Sequence, residues 1–568
     1  MRWTVWGRQF RLITGAYFSP KRSWRPLAGL AIMLFVSLLA VRMNLLFSFW
    51  SNGMFTSLQT LDSKLFWFSA QLFAILATVH VVQQLFNAYL RTAFGIHWRA
   101  WLNEQLVQRW LDSRAYYLAR FADSSVDNPE QRIQQDLQSL ADTSVSLSLG
   151  LVAALVSIVS FTALLWSLAG PMNVLGHEIP RGMVFLVYIY VLTASFFAFW
   201  IGRPLIRLNF LAEQFSATYR YLLIRVRENA ESIALYRGES VESERLHKSF
   251  ASVIANAWAT LWRELKFTGY NFSIGQAGVI FPLLIQGPRV LTGSIKLGDL
   301  TQTLEAFNQV QDSLSFFRES YDKFAAYRAV LERLNGFVGS MDEVETLDIP
   351  ARGQSDDSLR LEGFSVMRPD GGVLIEQLSL FLVRGQRLLV RGASGSGKTT
   401  LLRAIAGLWP YTTGRMDRPA DTQVLFLSQK PYLPIGSLRA ALAYPALELP
   451  KEKAVEILSR VQLGHLSGVL DTEHDWSQIL SPGEQQRLAF GRVLVNRPSL
   501  LVMDEASSAL DEGLEHALYS LMMQELPDSI VLSVGHHASL AQFHQQALEL
   551  RPQGAWQIVP GHLATGLA

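Results

Sequence analysis

Gly392-Ala393-Ser394-Gly395-Ser396-Gly397-Lys398-Thr399-Thr400 follows the apolar run Leu388-Leu389-Val390 and precedes Leu401-Leu402-Arg403-Ala404-Ile405. A strand, a glycine-rich loop and a helix in that order can turn successive backbone N–H groups onto phosphate oxygens. Lys398 is placed to reach β and γ phosphates, and the Thr399 hydroxyl to take Mg²⁺. Gly392, Ser394, Gly395, Ser396, Gly397, Lys398, Thr399 and Thr400 are therefore the candidate nucleotide cradle, a Walker A loop. A second strand, Ser499-Leu500-Leu501-Val502-Met503, ends in Asp504-Glu505, where one carboxylate can hold Mg²⁺ through water and the next can polarise an attacking water.

Between them Leu480-Ser481-Pro482-Gly483-Glu484-Gln485-Gln486-Arg487 opens a helix through Leu488-Ala489-Phe490-Gly491-Arg492. Ser481, Gly483 and Glu484 sit at its start, where a hydroxyl, N–H groups and the helix dipole favour an anion. With these elements the chain resembles the ATP-binding cassette (ABC) superfamily. The resemblance implies that Gln429 in Leu427-Ser428-Gln429-Lys430-Pro431 senses Mg²⁺ and water, that Ser508-Ala509-Leu510-Asp511 is the D-loop, and that His536 contacts the γ-phosphate. Glu505, His536 and Gln429 are then the catalytic set, Thr399, Gln429 and Asp504 the metal set, and ATP with Mg²⁺ the cofactors. Pro482 stands where the family usually has a second glycine and Glu484 where glutamine is common, which removes one backbone donor. Arg368 stands where many members place an aromatic ring under adenine.

The elements that carry this machinery fill only the C-terminal part of 568 residues. The composition, 49% hydrophobic and only 17% charged, is unusual for a soluble enzyme and predicts a membrane domain. Apolar stretches of about 20 residues can cross the hydrocarbon layer. Candidates are 27–49, 66–86, 147–168, 183–201, 274–291 and the more amphipathic 300–317. The expected organisation is a six-helix, exporter-type transmembrane domain at 1–335, a linker at 336–357 and an α/β P-loop cassette at 358–568.

Arginine and lysine place the ends. Arg2, Arg8, Arg11, Lys21, Arg22 and Arg25 precede the first span, and Arg91, Arg99, Arg109, Arg114, Arg120 and Arg132 fill the first long loop, whereas 51–65, 169–182 and 286–299 hold few basic residues. The positive-inside rule then puts the N-terminus and the cassette in the cytoplasm. The first apolar run is too long for a cleavable signal and is expected to remain. Absence of cysteine excludes disulfides and thiolate chemistry and fits a bacterial inner membrane. A net charge of +2 argues against a nucleic-acid partner.

One Walker A and one signature make half of a composite site, so the resemblance implies a dimer, most simply of two copies of this chain. Tyr116-Tyr117, Asp127-Asn128-Pro129-Glu130-Gln131-Arg132 and Arg227-Glu228-Asn229-Ala230-Glu231-Ser232-Ile233-Ala234-Leu235-Tyr236-Arg237-Gly238-Glu239 resemble the loops of a subgroup of bacterial YddA-like transporters and peroxisomal acyl-CoA transporters. The membrane domain also resembles that of the SbmA/BacA peptide uptake proteins. The subgroup implies ATP-driven movement of a hydrophilic cargo, cobalamin-like or peptide, inward across the bilayer; export or flipping of acyl-CoA or lipid-like amphiphiles, and an ATP-gated channel, stay open. A charge in hydrocarbon is costly, so Arg42, with Asn44, His80, Asn271 and Gln276, is expected to line a polar cavity or to make contacts inside the bundle.

Overall fold

Leucine, alanine and phenylalanine runs without interior glycine pairs favour long helices, and the first half of the chain is built of them. The computed structural model describes residues 13–19, 23–122, 128–170, 172–174, 177–347, 352–355, 358–535 and 537–561. Two units emerge: Met1–Ala115 with Ser124–Met341, and Tyr116–Asp123 with Asp342–Ala568.

In the first unit the long helices are α1 (Arg25–Thr60), α2 (Ser63–Asp112), α3 (Leu137–Leu168), α4 (Gly182–Glu228), α5 (Glu239–Leu291), α6 (Leu297–Glu319) and α7 (Tyr321–Thr346). At about 1.5 Å per residue, the 53 residues of α5 greatly exceed the bilayer core, so its apolar part crosses and its charged part extends beyond. Among the described residues five helices are long and apolar enough to span: α1, α2, α4, α5 and the continuous stretch Pro129–Leu168 that ends in α3. Ile75, Val82, Leu85, Ile189, Leu192 and Phe196 are all exposed, the outward apolar surface that lipid would cover.

The helix α6 is less apolar than these five yet packs against α1, α3, α4 and α5. Its Ala306, Phe307 and Val310 are fully buried among Phe161 and Leu165 of α3 and Val187 of α4. Several of its polar groups are paired within the bundle: Asn52 Nδ2 donates to Asp299 Oδ1 at 2.9 Å and to Gln302 Oε1 at 2.7 Å, and Ser313 Oγ to Ser157 Oγ at 2.8 Å. Such pairing is what allows polar residues at membrane depth.

The helix α7 continues to Thr346, so the segment expected as a linker from 336 is helical over its first half. A three-residue strand, Arg352–Gln354, pairs with Met416–Arg418. Phe121, distant in sequence, meets Trp409 at 5.2 Å and Tyr411 at 5.9 Å between ring centroids within the second unit.

The second unit has two main sheets among the described residues, besides a short pairing of Gly436–Ser437 with Glu473–His474. The strands β1 (Ser358–Met367), β2 (Val373–Val383) and β4 (Thr412–Arg418) form an antiparallel core in the order β4-β1-β2, with the short Arg352–Gln354 strand added in parallel beside β4. The other contains β3 (Arg387–Gly392), β5 (Val424–Ser428), β6 (Leu500–Asp504), β7 (Ile530–Val534), β8 (Gln546–Leu550) and β9 (Trp556–Pro560), ordered β9-β8-β3-β7-β6-β5. Its interior strands are parallel and apolar on both faces: Leu388, Val390, Leu500 and Val502 pack into one core, Leu389, Leu501 and Met503 into the other. Three helices flank the site: α8 (Lys398–Ala406), α9 (Pro482–Asn496) and α10 (Glu512–Glu525).

Candidate functional site

Parallel register assembles the site. Asp504 pairs with Ser428 on one side and Val534 on the other, so β5, β6 and β7 end level, and the residues that follow emerge together. This is the carboxyl edge at which open parallel sheets bind ligands. The sequence-predicted Gln429 and Glu505 directly follow two of those strands. His536, two residues beyond the third, lies outside the described residues.

The turn from β3 to α8 needs its glycines. Gly392, Gly395 and Gly397 have φ of 151°, 80° and 95°. A Cβ on Gly392 would sit 2.7 Å from the Leu550 carbonyl oxygen, so alanine there is excluded by backbone as well as by conformation. Lys398 folds back over the loop, Nζ donating to the carbonyls of Gly392 at 2.8 Å and Ala393 at 3.1 Å. Ser394 and Gly395 are exposed at the loop crest, Thr400 is half-buried, and the Ser396 Oγ is buried without a partner. An orphan hydroxyl beside a ring of amide groups fits an anionic oxygen.

At the floor, Thr399 Oγ1 donates to Asp504 Oδ1 at 3.3 Å. Burial pushes the Asp504 carboxyl up, Thr399 draws it back, and Glu505 beside it raises it further. A carboxylate held at that cost next to a hydroxyl is a hard-oxygen set suited to Mg²⁺. Glu505 itself has φ of 51°, a left-handed conformation rare outside glycine. Its N–H donates to the Val534 carbonyl at 3.0 Å, and its own carbonyl accepts from Ser508 N–H at 3.1 Å. The turn lifts the second carboxylate out of the strand.

The predicted signature residues are resolved into a helix cap. Pro482 occupies the first turn of α9, where its missing N–H would have no intrahelical partner in any case. Ser481 N–H and Oγ donate to Glu484 Oε2 at 2.9 and 2.7 Å, and His465 Nε2 lies 3.2 Å from Glu484 Oε1. Hydrogen bonding from Ser481 accordingly holds the Glu484 carboxyl below its usual range. Gly483 brings the helix start close to the D-loop: a Cβ there would meet the Ala509 carbonyl at 3.2 Å. Asp511 caps α10, accepting from Leu514 N–H at 2.8 Å. Arg368, at the end of β1, is exposed beside Asp370 at 3.5 Å.

Gln486 was not singled out from the sequence. It is 2% exposed, and Nε2 donates to the Gln429 carbonyl at 3.0 Å and to Ser508 Oγ at 3.2 Å while Oε1 accepts from Ala509 N–H at 2.9 Å. One amide thus ties the signature helix to the Gln429 loop and to the D-loop. Its position two residues past Glu484 on a capped helix was the available signal.

The membrane candidates lie on three helices of the first unit. Exposed Arg42 and half-buried Asn44 lie on α1, and His80 on α2 packs edge-on to Phe47 at 5.4 Å with Gln84 Nε2 at 3.5 Å. Asn271 and exposed Gln276 lie on α5, which packs on α4 and α6. Asn308 and Asp312, exposed on α6, were missed because that span reads weakly in the sequence.

Residues 13–291 match the family model "ABC transporter transmembrane region 2" and residues 375–508 match "ABC transporter". An "Uncharacterized ABC transporter ATP-binding protein" of Haemophilus influenzae is 48% identical over 561 residues, covering 98% of this chain and 95% of that one. The chain is an ABC transporter. The transporter is also 31% identical to "Inner membrane ABC transporter ATP-binding protein YddA" of Escherichia coli, with 89% and 90% coverage, and 28% identical to "Lysosomal cobalamin transporter ABCD4" of Mus musculus, with 83% of each covered. A bacterial Atm1-family ABC exporter with ATP bound shares the fold, at TM-score 0.73 and 17% identity over 95% and 96% of the two chains. Exporter-type fold, multi-pass membrane insertion and ATPase activity coupled to transport follow for this half-transporter.

Proposed function

We propose that two copies of the chain form an ATP-driven importer of a hydrophilic, cobalamin-like or peptide cargo in the bacterial inner membrane. The observation that carries the catalytic part is the level end of β5, β6 and β7, with Thr399 hydrogen-bonded to Asp504 and Glu505 turned out beside them. Backbone N–H groups of 392–400 hold the phosphates, and Lys398 exchanges its two carbonyl partners for β and γ oxygens. Thr399, Asp504 and Gln429 would hold Mg²⁺, which when bound would supply neutralising charge to the phosphate oxygens. Glu505 orients and deprotonates water, and His536 contacts the γ-phosphate. Ser481 and the start of α9 from the second copy close the same nucleotide. A hydrophilic cargo is favoured by Arg42, Asn308 and Asp312, polar groups exposed on membrane helices where lipid would penalise them.

The test is uptake of labelled cobalamin and of a labelled cationic peptide into proteoliposomes, with ATP on the cassette side and Glu505→Gln vesicles as the blank. Glu505→Gln is expected to bind ATP normally and to lose on the order of 10³ in turnover. Accumulation against a gradient supports import. Hydrolysis without accumulation of either probe would reject this cargo reading and favour amphiphiles or outward movement; current without concentrative flux would favour a gated channel.

A further inference from the structure

Two carboxylates are fully buried among the described residues, Asp136 in the first unit and Glu515 in the second, and the chemistry above uses neither. Glu515 lies in the first turn of α10, 1% exposed. Its Oε1 accepts from Ser507 Oγ at 2.5 Å, and its Oε2 from His537 Nδ1–H and Ser539 Oγ, both at 3.0 Å. Ser507 is two residues beyond Glu505; His537 and Ser539 belong to the loop that leaves β7. The fully buried Tyr519 lies one turn further along the same helix, with its hydroxyl against Ser507 and Ser533.

A buried carboxylate is expensive unless its oxygens are paired, and a leucine would fill the same core position without that cost. What leucine could not do is hold two loops at once. The turn at Glu505 is left-handed, a conformation that persists only when its surroundings over-determine it. One restraint is direct, from Glu505 N–H to the Val534 carbonyl. The second runs from Ser507 through Glu515 to His537 and Ser539.

We infer that Glu515 is a positioning residue for hydrolysis: it clamps the loop carrying Glu505 to the loop after β7, and so fixes where the Glu505 carboxylate stands. The inference rests on Glu505 being the group that activates water. The Glu515 carboxylate is buried and taken up by Ser507, His537 and Ser539, so its loss should act on turnover and leave binding intact.

The experiment uses the full-length protein in proteoliposomes, with ATP hydrolysis, ATP binding and thermal melting measured on the same preparations of wild type, Glu515→Gln, Ser507→Ala, Ser539→Ala and Glu505→Gln. Glu515→Gln keeps the shape but presents an amide where an acceptor is needed. Expected is a fall in kcat on the order of 10- to 100-fold with KM for ATP within about twofold; each serine variant should show a smaller fall in kcat with the same unchanged KM. Turnover per bound nucleotide at the wild-type level in Glu515→Gln would overturn the inference. So would a loss that tracks the fall in melting temperature and in ATP binding, since that is what a purely structural residue gives. If Glu515→Gln does not fold, the serine variants decide: wild-type kcat in both refutes the clamp. Glu505→Gln turning over at the wild-type rate would sink the assignment of Glu505 instead, an outcome distinct from an inactive Glu505→Gln beside a normal Glu515→Gln.

Discussion

Replacing Gln486 by leucine keeps the side-chain volume and removes three hydrogen bonds, to Gln429, Ser508 and Ala509. At a net ~1 kcal/mol each, the ceiling is about 3 kcal/mol. Gln429, Ser508 and Ala509 are exposed residues, so water can re-satisfy part of what is stranded, and ~2 kcal/mol is the better figure. For a domain of this size that lowers the melting temperature by roughly 4–8 °C. Against a stability of 5–15 kcal/mol typical of a domain, the loss leaves the cassette folded at assay temperature. Any fall in turnover there must come from the loops. Expected is a drop in kcat of about tenfold with ATP affinity unchanged, and a smaller one for Gln486→Glu, which still accepts from Ala509 but no longer donates. The assay is steady-state ATP hydrolysis by the reconstituted full-length protein, with calorimetric melting alongside. A normal kcat with a lowered melting temperature would refute the idea that this amide sets loop register; an unchanged melting temperature would show that the three bonds carry no net value.

Three further outcomes follow from the geometry. Lys398→Ala removes a charge-assisted contact worth roughly 1.5–3 kcal/mol, so ATP affinity should fall by about 10- to 100-fold in a direct binding titration, less whatever is recovered by freeing the Gly392 and Ala393 carbonyls. His544, bonded to Leu540 and Ser533, is pushed by burial down to about 4 from the ordinary 6.5. The unfolded chain therefore takes up the proton first, so this contribution to stability is whole above about pH 6.5 and is lost as pH falls toward about 4; between about pH 7.5 and 5 it amounts to ~2 kcal/mol, and melting of His544→Gln should be flatter over that range. Asp136→Asn breaks the pair of bonds from Arg333, at 2.9 and 2.6 Å, and the one from Arg132 at 3.1 Å. Because Arg333 is 39% exposed and can rehydrate, the expected cost is about 1–3 kcal/mol rather than the full value of a buried pair, read as a lower melting temperature of the whole protein.

Much of the site was legible because its chemistry is local. Gly392 to Thr400 fold into a cradle through their own φ angles, Asp504 and Glu505 sit side by side on the chain, and five strongly apolar stretches need only be counted. Spacing along one strand or one loop is set by covalent geometry, so residue type and order suffice. The weakly apolar span at 300–317 was harder, because what hides its polar groups is Asn52 of α1 and Ser157 of α3, not anything within the helix.

Sequence by itself therefore determined the family, the order of membrane and cassette parts, and the candidate residues for a nucleotide. Tertiary structure decided what holds them. Gln486 is bonded to residues 57 and 22 positions away, and Glu515 to others 8, 22 and 24 positions away, with each partner brought near by sheet register and core packing. No propensity or spacing rule reports such contacts, since a glutamine or glutamate on a helix is as often solvated as buried. Only burial turns an ordinary side chain into one whose every polar atom must find a partner.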